Sequence, residues 1–172
     1  MGKVVDLLCI PSPEKKSIGI VDLLIQDHER IRDLMKKVSS PRTDSRQKSA
    51  TFRKLEKLVD SHVAAEELAL MSVLKDHPRF KDLVKEAFAE HQVHDLIRNG
   101  LRSKLKNYEK AAHMKAFCEV LEHHLDEEEE KLFPRFRKYA ASSTRKKLGA
   151  RYLRERRATA KNLHVPAPES RS

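Results

Sequence analysis

The stretch HVAAEELALM (62–71) sets a histidine and a glutamate four residues apart, and HLDEEEEKLF (124–133) repeats the arrangement in the second half of the chain. Residues four apart lie on the same face of an α-helix, one turn from each other. The two pairs are His62 with Glu66 and His124 with Glu128. A matching apolar pair closes each stretch, so both pairs are predicted to lie on helix faces that belong to a core.

The sequence around these stretches predicts helices. Only 4 Gly, 7 Pro and 5% aromatic residues occur among 172 residues, whereas 36% of the residues are charged. Apolar periodicity predicts four long helices and a shorter fifth one, at about Ser17–Ser40, Asp44–Leu74, Lys81–Asn107, Lys110–Lys138 and Thr144–Ala158. Short connections between long helices favour an all-α fold, an antiparallel up-down four-helix bundle with a short additional C-terminal helix.

Three regions are expected along the chain. Residues 1–16 are predicted to form an irregular arm, because Pro11 and Pro13 oppose a helix. Residues 17–140 would form the bundle, and residues 141–172 a basic helix and tail.

The predicted core-facing seam of each long helix is apolar at its ends and polar at its centre. The seam of the second helix reads Phe52, Leu55, Val59, His62, Glu66, Ala69 and Val73. The first and third helices each place one histidine at the centre, His28 and His91, and an acidic residue precedes each of them. Burying such groups without partners costs several kcal/mol. Divalent first-row metal ions would remove this cost, and four histidines with two glutamates suit two ions better than one.

Segments from all four long helices resemble the hemerythrin-like (HHE cation-binding) domain family. The segments are DHERIRDLM (27–35), HVAAEELALM (62–71), EHQVHDLI (90–97) and HHLDEEEEKLFP (123–134). The resemblance covers about residues 17–139 and implies a non-haem centre of two iron ions with an oxo or hydroxo bridge. It further implies bridging carboxylates and terminal imidazole ligands; the metal site would comprise His28, His62, Glu66, His91, His124 and Glu128.

Two positions complicate this pattern. Oxygen-carrying members have a further histidine one turn after the third-helix histidine, where this chain has Asp95, with His94 beside it. One ion would then have fewer protein ligands and a more open coordination shell. Such a shell fits redox, peroxide or sensing chemistry better than stable oxygen carriage. Whether Asp95 or His94 completes the shell stays open. In the fourth helix the seam favours His124, whereas the spacing in oxygen carriers would pair His123 with Glu128.

Three functions follow as expectations. The first is a diiron-binding protein that binds or senses dioxygen or stores iron. The alternative is a diiron enzyme that decomposes peroxide or handles nitric oxide, with weak peroxidase-like, catalase-like or nitric-oxide-related activity. Dioxygen, peroxide or nitric oxide would be the small ligand, and no catalytic residue is assigned. A second alternative is a basic helical interaction module. The sequence has neither a glycine-rich phosphate loop nor a Ser-His-Asp pattern, which argues against nucleotide enzymes and hydrolases.

Charge and cysteine usage bear on partners and compartment. The net charge is +10, and much of the excess positive charge lies between Arg135 and Arg157. If the protein bound nucleic acid, this basic C-terminal segment would be the binding surface. Nucleic acid is not the expected partner. Cys9 and Cys118 form no disulfide or metal pattern. Because no stretch is long enough to span a membrane either, the protein is expected to be cytoplasmic. The oligomeric state is left open.

Overall fold

The computed structural model describes residues 18–101 and 106–162. Helix α1 spans Ile20–Ser39. Helix α2 has three consecutive segments, Ser45–Glu66, Glu67–Met71 and Ser72–Leu74. Helix α3 spans Lys81–Leu101. Helix α4 consists of Asn107–Glu127, Glu128–Leu132 and Phe133–Tyr139, and α5 spans Ser142–Asn162. The predicted N-terminal arm 1–16 and the tail after residue 162 lie outside the described residues, as do residues 102–105 at the predicted end of the third helix.

Two apolar clusters show how the four long helices run. The first apolar cluster joins the start of α1, the end of α2, the start of α3 and the end of α4; its members include Ile20, Leu24, Leu70, Phe80, Val84, Leu132 and Phe136. The second apolar cluster joins the end of α1 with the first halves of α2 and α4; its members include Ile31, Met35, Phe52, Leu55, Phe117 and Leu121. Because each cluster brings the start of one helix next to the end of its neighbour in the chain, successive helices are antiparallel. The predicted all-α up-down bundle is confirmed.

Both helices that carry a His-x3-Glu pair widen into a π-helix at the glutamate. The π-helical segments are Glu67–Met71 and Glu128–Leu132, so the sequence repeat is also a repeat of backbone structure. A π-helical turn holds an additional residue, and such turns are frequent at functional sites. The additional residue shifts the register of α2, which turns Val73 outward to 50% exposure and buries Leu74 at 4%. The prediction that Val73 belongs to the seam is therefore wrong.

Helix α5 is longer than the predicted fifth helix at both ends and packs against α1 and α2. A Cβ atom on Gly149 would lie 2.3 Å from the backbone oxygen of Ile18, so this close approach requires glycine. The helix buries Tyr152 and Arg156, each 1% exposed. Part of the basic C-terminal segment thus belongs to the core, and only the remainder is a solvated face. None of the helices in the described ranges has an apolar stretch of the length that a membrane span needs.

Candidate metal centre

All six predicted metal-site residues lie in the bundle interior, at the level between the two apolar clusters. Each is at most 5% exposed; the six are His28, His62, Glu66, His91, His124 and Glu128. Their helices bring them there because the histidines and glutamates occupy the centres of four antiparallel seams. Six polar side chains at one level of a core are costly unless something pairs with them.

The six side chains form two sets of three. The first group contains His28, His62 and Glu128, and the second group contains Glu66, His91 and His124. In each group one potential ligand atom per residue lies within 4.8 Å of the others. The helical hairpin α1–α2 gives two histidines to the first group, whereas α3–α4 gives two to the second. Each hairpin gives its glutamate to the group of the other, so the groups interlock.

The two glutamates lie between the groups. Oε2 of Glu128 is 3.4 Å from Nε2 of His28 in the first group and 3.8 Å from Nε2 of His124 in the second. Oε2 of Glu66, a member of the second group, is 3.6 Å from Nε2 of His62 in the first. Each carboxylate therefore lies within reach of both groups.

The outward-facing ring nitrogens are held by hydrogen bonds. Nδ1 of His28 donates to Glu129 at 2.7 Å, and Nδ1 of His91 donates to Glu67 at 2.7 Å. Nδ1 of His124 donates to Glu90, also at 2.7 Å. Metal-binding histidines typically donate their second ring N–H to a carboxylate in this way, which fixes the ring and leaves Nε2 as the ligand atom.

The fourth histidine is held differently. Nδ1 of His62 donates to the hydroxyl oxygen of Tyr152 at 3.0 Å, and that hydroxyl donates to Oδ2 of Asp27 at 2.5 Å. Nε of Arg156 lies 2.8 Å from the same carboxylate oxygen. Asp27, Tyr152 and Arg156 are each 1% exposed, so α5 contributes a buried chain of polar groups behind the first group.

The inward-facing atoms have no hydrogen-bond partners within the described ranges. They comprise Nε2 of His28, Nε2 of His62 and both carboxylate oxygens of Glu66 and of Glu128. In the second group, Nε2 of His91 lies 3.2 Å from Nε2 of His124. With both Nδ1 atoms protonated, these nitrogens present lone pairs to each other, and this arrangement is unfavourable without a proton or a cation between them. The orphaned donor set fits two divalent first-row metal ions.

Without metal, burial and neighbouring groups shift the pKa values of several of these side chains. Burial lowers the pKa of His62 to about 4, so this imidazole is neutral at pH 7. Burial and the neighbouring Glu128 carboxylate raise the pKa of Glu66 well above its usual value. Burial opposes ionisation of Glu128, but the imidazoles of His124 and His28 outweigh it and lower its pKa. The pKa values of the two glutamates are thus shifted in opposite directions, because a second negative charge beside the first is unfavourable in this interior.

The structure locates the residues at the two positions that the sequence left undecided, His123 or His124 and Asp95 or His94. His124 is fully buried in the second group, whereas the side chain of His123 is 68% exposed and lies 4.0 Å from Glu90 and 3.9 Å from Glu127, outside both groups. The side chain of Asp95 is 61% exposed and pairs with Arg98. His94 is 3% exposed and lies beside the second group. The residue in the position of the further histidine therefore faces away from the centre.

Several residues around the centre were not predicted from the sequence. Glu67 and Glu129 directly follow the two glutamates of the repeat, and Asp27 and Glu90 directly precede the lone histidines. Their position next to predicted metal-site residues was the sequence signal that could have identified them. Glu129 lies within a run of four glutamates, Glu127–Glu130, and its carboxylate holds His28. The roles of Tyr152 and Arg156 had no signal in the sequence pattern.

One comparison with known proteins bears on this site. The family model described as hemerythrin HHE cation binding domain matches residues 19–136, which include both groups, all of α1 to α3 and α4 except its last three residues. No curated protein and no solved structure was found to match the chain.

Proposed function

The chain belongs to the hemerythrin HHE cation-binding family, and we propose that its two interlocked groups hold two iron ions with which it binds or senses dioxygen, or stores iron. His28, His62 and Glu128 would hold one ion, and Glu66, His91 and His124 the other. Bound iron would supply a redox-active, Lewis-acidic position for a small ligand.

The observation that carries this proposal is the set of orphaned inward-facing atoms. Imidazole Nε2 atoms and four carboxylate oxygens point into a space where the described residues offer them no partner. A buried charge without a partner costs far more than a paired one, so a protein retains such a set when a cation compensates it. Neutral imidazoles together with carboxylates suit ferrous and ferric iron.

In this proposal, residues of the chain orient the histidines, couple the two ions and enclose the centre. Glu67, Glu90 and Glu129 accept the Nδ1 protons of three histidines and so keep each ring turned inward. The Glu66 and Glu128 carboxylates lie between the groups and would couple the two ions. The two apolar clusters pack on either side of the centre along the bundle.

A diiron enzyme that decomposes peroxide or handles nitric oxide is the second candidate. It is favoured by the small number of histidines, two in each group, together with the outward orientation of Asp95. An ion with few protein ligands keeps positions for substrate. An interaction module whose core is polar by chance does not account for two ordered groups with oriented imidazoles.

The test is anaerobic reconstitution of the full chain with ferrous iron, followed by elemental analysis and absorption spectroscopy after exposure to air. We expect about two iron ions per chain and charge-transfer bands of a bridged ferric pair. One ion or fewer would exclude the two-iron centre. Stopped-flow mixing of the reduced protein with dioxygen and with hydrogen peroxide then separates the candidates. Catalytic turnover of peroxide favours the enzyme, and a single oxidation event favours the binding or sensing protein.

A further inference from the structure

Helix α4 carries a second His-x3-Glu pair at its surface, one residue before the pair in the core. His123 and Glu127 have the same spacing as His124 and Glu128. Because consecutive residues of a helix point about 100° apart, the earlier pair is turned away from the interior. Glu90 of α3 completes a cluster with it: Nε2 of His123 lies 4.0 Å from Oε1 of Glu90 and 3.9 Å from Oε1 of Glu127. Glu90, His123 and Glu127 are called the surface triad below.

The geometry of the surface triad suits one small divalent cation. Ligand atoms lie about 2.1 Å from a first-row metal ion, so two ligands of the same ion are at most about 4.2 Å apart. Both distances from His123 are within this limit, and one potential ligand atom of each triad residue lies within 4.8 Å of the others. An imidazole and two carboxylates suit iron, manganese and cobalt. The side chain of His123 is 68% exposed, so water completes the coordination shell and the ion can exchange.

A narrow gap lies between the surface triad and the metal centre. Its volume is about 10 Å³, and its lining includes Glu86, Glu90, Glu127 and Glu128. This is about the room that one water molecule needs. Glu128 belongs to the first group, is buried, and neither of its carboxylate oxygens has a hydrogen-bond partner among the described residues. Glu90 contacts both levels, since its other oxygen, Oε2, accepts a hydrogen bond from Nδ1 of His124. An unpaired buried carboxylate therefore lines the same gap as two members of the triad.

The corresponding surface of the other hairpin is closed. The residues of α2 that correspond to the triad members of α4 are Ser61 and Ala65, and both are fully buried. Asp27 of α1, which corresponds to Glu90, is buried as well and contacts Tyr152 of α5. Helix α5 packs against α1 and α2. It therefore covers the first hairpin, whereas the second hairpin presents the triad to solvent.

A lysine already places a positive charge at the triad. Nζ of Lys131 contacts Oε1 of Glu127, and Lys131 is part of the lining of the gap. Its side chain is 46% exposed, so it can turn into solvent. One ammonium group compensates one carboxylate, whereas a divalent cation compensates both carboxylates of the triad. Lys131 therefore competes with a metal ion for Glu127.

We propose that the surface triad is a third metal site, which takes up a divalent iron ion from solvent and passes it through the gap to Glu128 in the core. The passage to the core rests on the proposed two-iron function, whereas cation binding at the triad does not depend on it. The ion at the triad is held weakly, because water and Lys131 compete for its ligands. This assignment gives His123, which lies outside both groups, a role in loading the centre.

The first experiment measures cation binding at the triad while the core is filled. The full chain is loaded with iron, and Mn²⁺ is added as the probe, because free Mn²⁺ gives an electron paramagnetic resonance signal that is lost on binding. We expect one additional, weakly bound Mn²⁺ per chain. His123→Ala and Glu127→Gln should each weaken this binding at least about tenfold, as expected for the loss of one ligand. Lys131→Gln removes the competing ammonium group and should strengthen it.

The second experiment measures how fast the core fills. The metal-free full chain is mixed with Co²⁺ under anaerobic conditions, and retained metal is counted after rapid desalting, which removes the weakly held ion. We expect Glu127→Gln to fill about tenfold more slowly than the unmodified chain, since it loses the local attraction for the cation. Glu130→Gln is the matched control, because it removes the same charge from an exposed position of the same glutamate run. It should fill at the unmodified rate, and both variants should finally retain two ions.

The outcomes separate this inference from the proposed function. Unchanged Mn²⁺ binding in His123→Ala and Glu127→Gln would overturn the third site and leave the two-iron centre intact. Equal slowing in Glu127→Gln and Glu130→Gln would indicate a general effect of surface charge and overturn the passage through the triad. A lower final metal content in Glu127→Gln would make Glu127 part of the centre and overturn the assignment of a separate site. A chain that retains no metal after desalting would overturn the proposed function itself.

Discussion

The hydroxyl oxygen of Tyr152 lies 3.0 Å from Nδ1 of His62. The equivalent histidine of the other hairpin, His124, is held directly by Glu90 at 2.7 Å. Asp27 occupies the position that corresponds to Glu90 but is one methylene shorter, and its Oδ2 remains 3.9 Å from His62. The Tyr152 hydroxyl lies between Asp27 and His62 and forms a hydrogen bond with each of them. The fifth helix therefore completes the support of the first group, and the two-fold repeat of the bundle is broken at this point.

Replacing Tyr152 by Phe should weaken iron binding at the first group. The ring would still fill its place in the core, but Nδ1 of His62 would lose its acceptor and the imidazole its fixed orientation. Loss of such an outer hydrogen bond typically costs about 10- to 100-fold in metal affinity. Competition with a chelator measures the affinity. Tyr108→Phe, which changes a tyrosine that is 68% exposed, is the matched control and should leave the affinity unaltered.

Replacing Glu66 or Glu128 by Ala should remove more metal than replacing Asp95 by Ala. Each glutamate lies between the groups, so its loss affects both ions, whereas the Asp95 side chain is 61% exposed and pairs with Arg98. Elemental analysis after identical reconstitution gives the comparison. Equal metal content in the three variants would mean that the glutamates do not bridge.

Glu129 and Glu130 provide a test of orientation by neighbouring residues. Glu129 accepts hydrogen bonds from His28 and Arg32, both 2.7 Å or shorter, while Glu130 is exposed on the same π-helical segment. Glu129→Gln should therefore lower iron affinity by about tenfold, in the range known for such outer partners. Glu130→Gln should not change the affinity measured by the same chelator competition. A similar loss in both variants would indicate a general effect of surface charge.

The fold and the six core residues could be predicted because both follow from periodicity. Histidines and glutamates at seam positions of four helices converge wherever the bundle forms, and His124 could be preferred over His123 from the phase of the seam. The π-helical turns could not be predicted, because the change from four to five residues per hydrogen-bonded turn leaves no pattern in the sequence, and Val73 was misplaced as a result.

The contribution of the fifth helix was missed for another reason. Tyr152 and Arg156 lie in a segment whose basic residues suggest a solvated face, and they reach Asp27 through tertiary packing that local spacing does not encode. Gly149 permits that packing, but an isolated glycine within a helical segment has many explanations.

Removing the metal should lower the melting temperature, and the difference should grow as the pH rises from about 6.5 to 8. In the metal-free form the pKa of Glu66 is raised by burial and by Glu128. The pKa of His28 is also raised, because the nearby carboxylates of Glu128 and Glu129 outweigh the opposing effect of burial. A group whose pKa is higher in the folded state contributes stability that is present at low pH and is lost as the pH rises through that folded-state pKa.

The shifts of the pKa values of two other buried histidines, His62 and His94, and of Glu128 act mainly below this window. His62 and His94, each with a pKa of about 4, are neutral in the folded chain above pH 6.5, and the unfolded imidazoles lose their remaining protons just above that pH. The lowered pKa of Glu128 acts only below its usual value of 4.5. The metal-free protein should therefore lose stability from pH 6.5 to 8. The metal-bound form should not, because fewer protons then compete with iron for the imidazoles. Circular dichroism melts of both forms at several pH values measure the difference. We expect the metal-free form to remain helical, since the two apolar clusters are unaffected. Equal melting temperatures across the range would mean that the six core side chains are satisfied without metal.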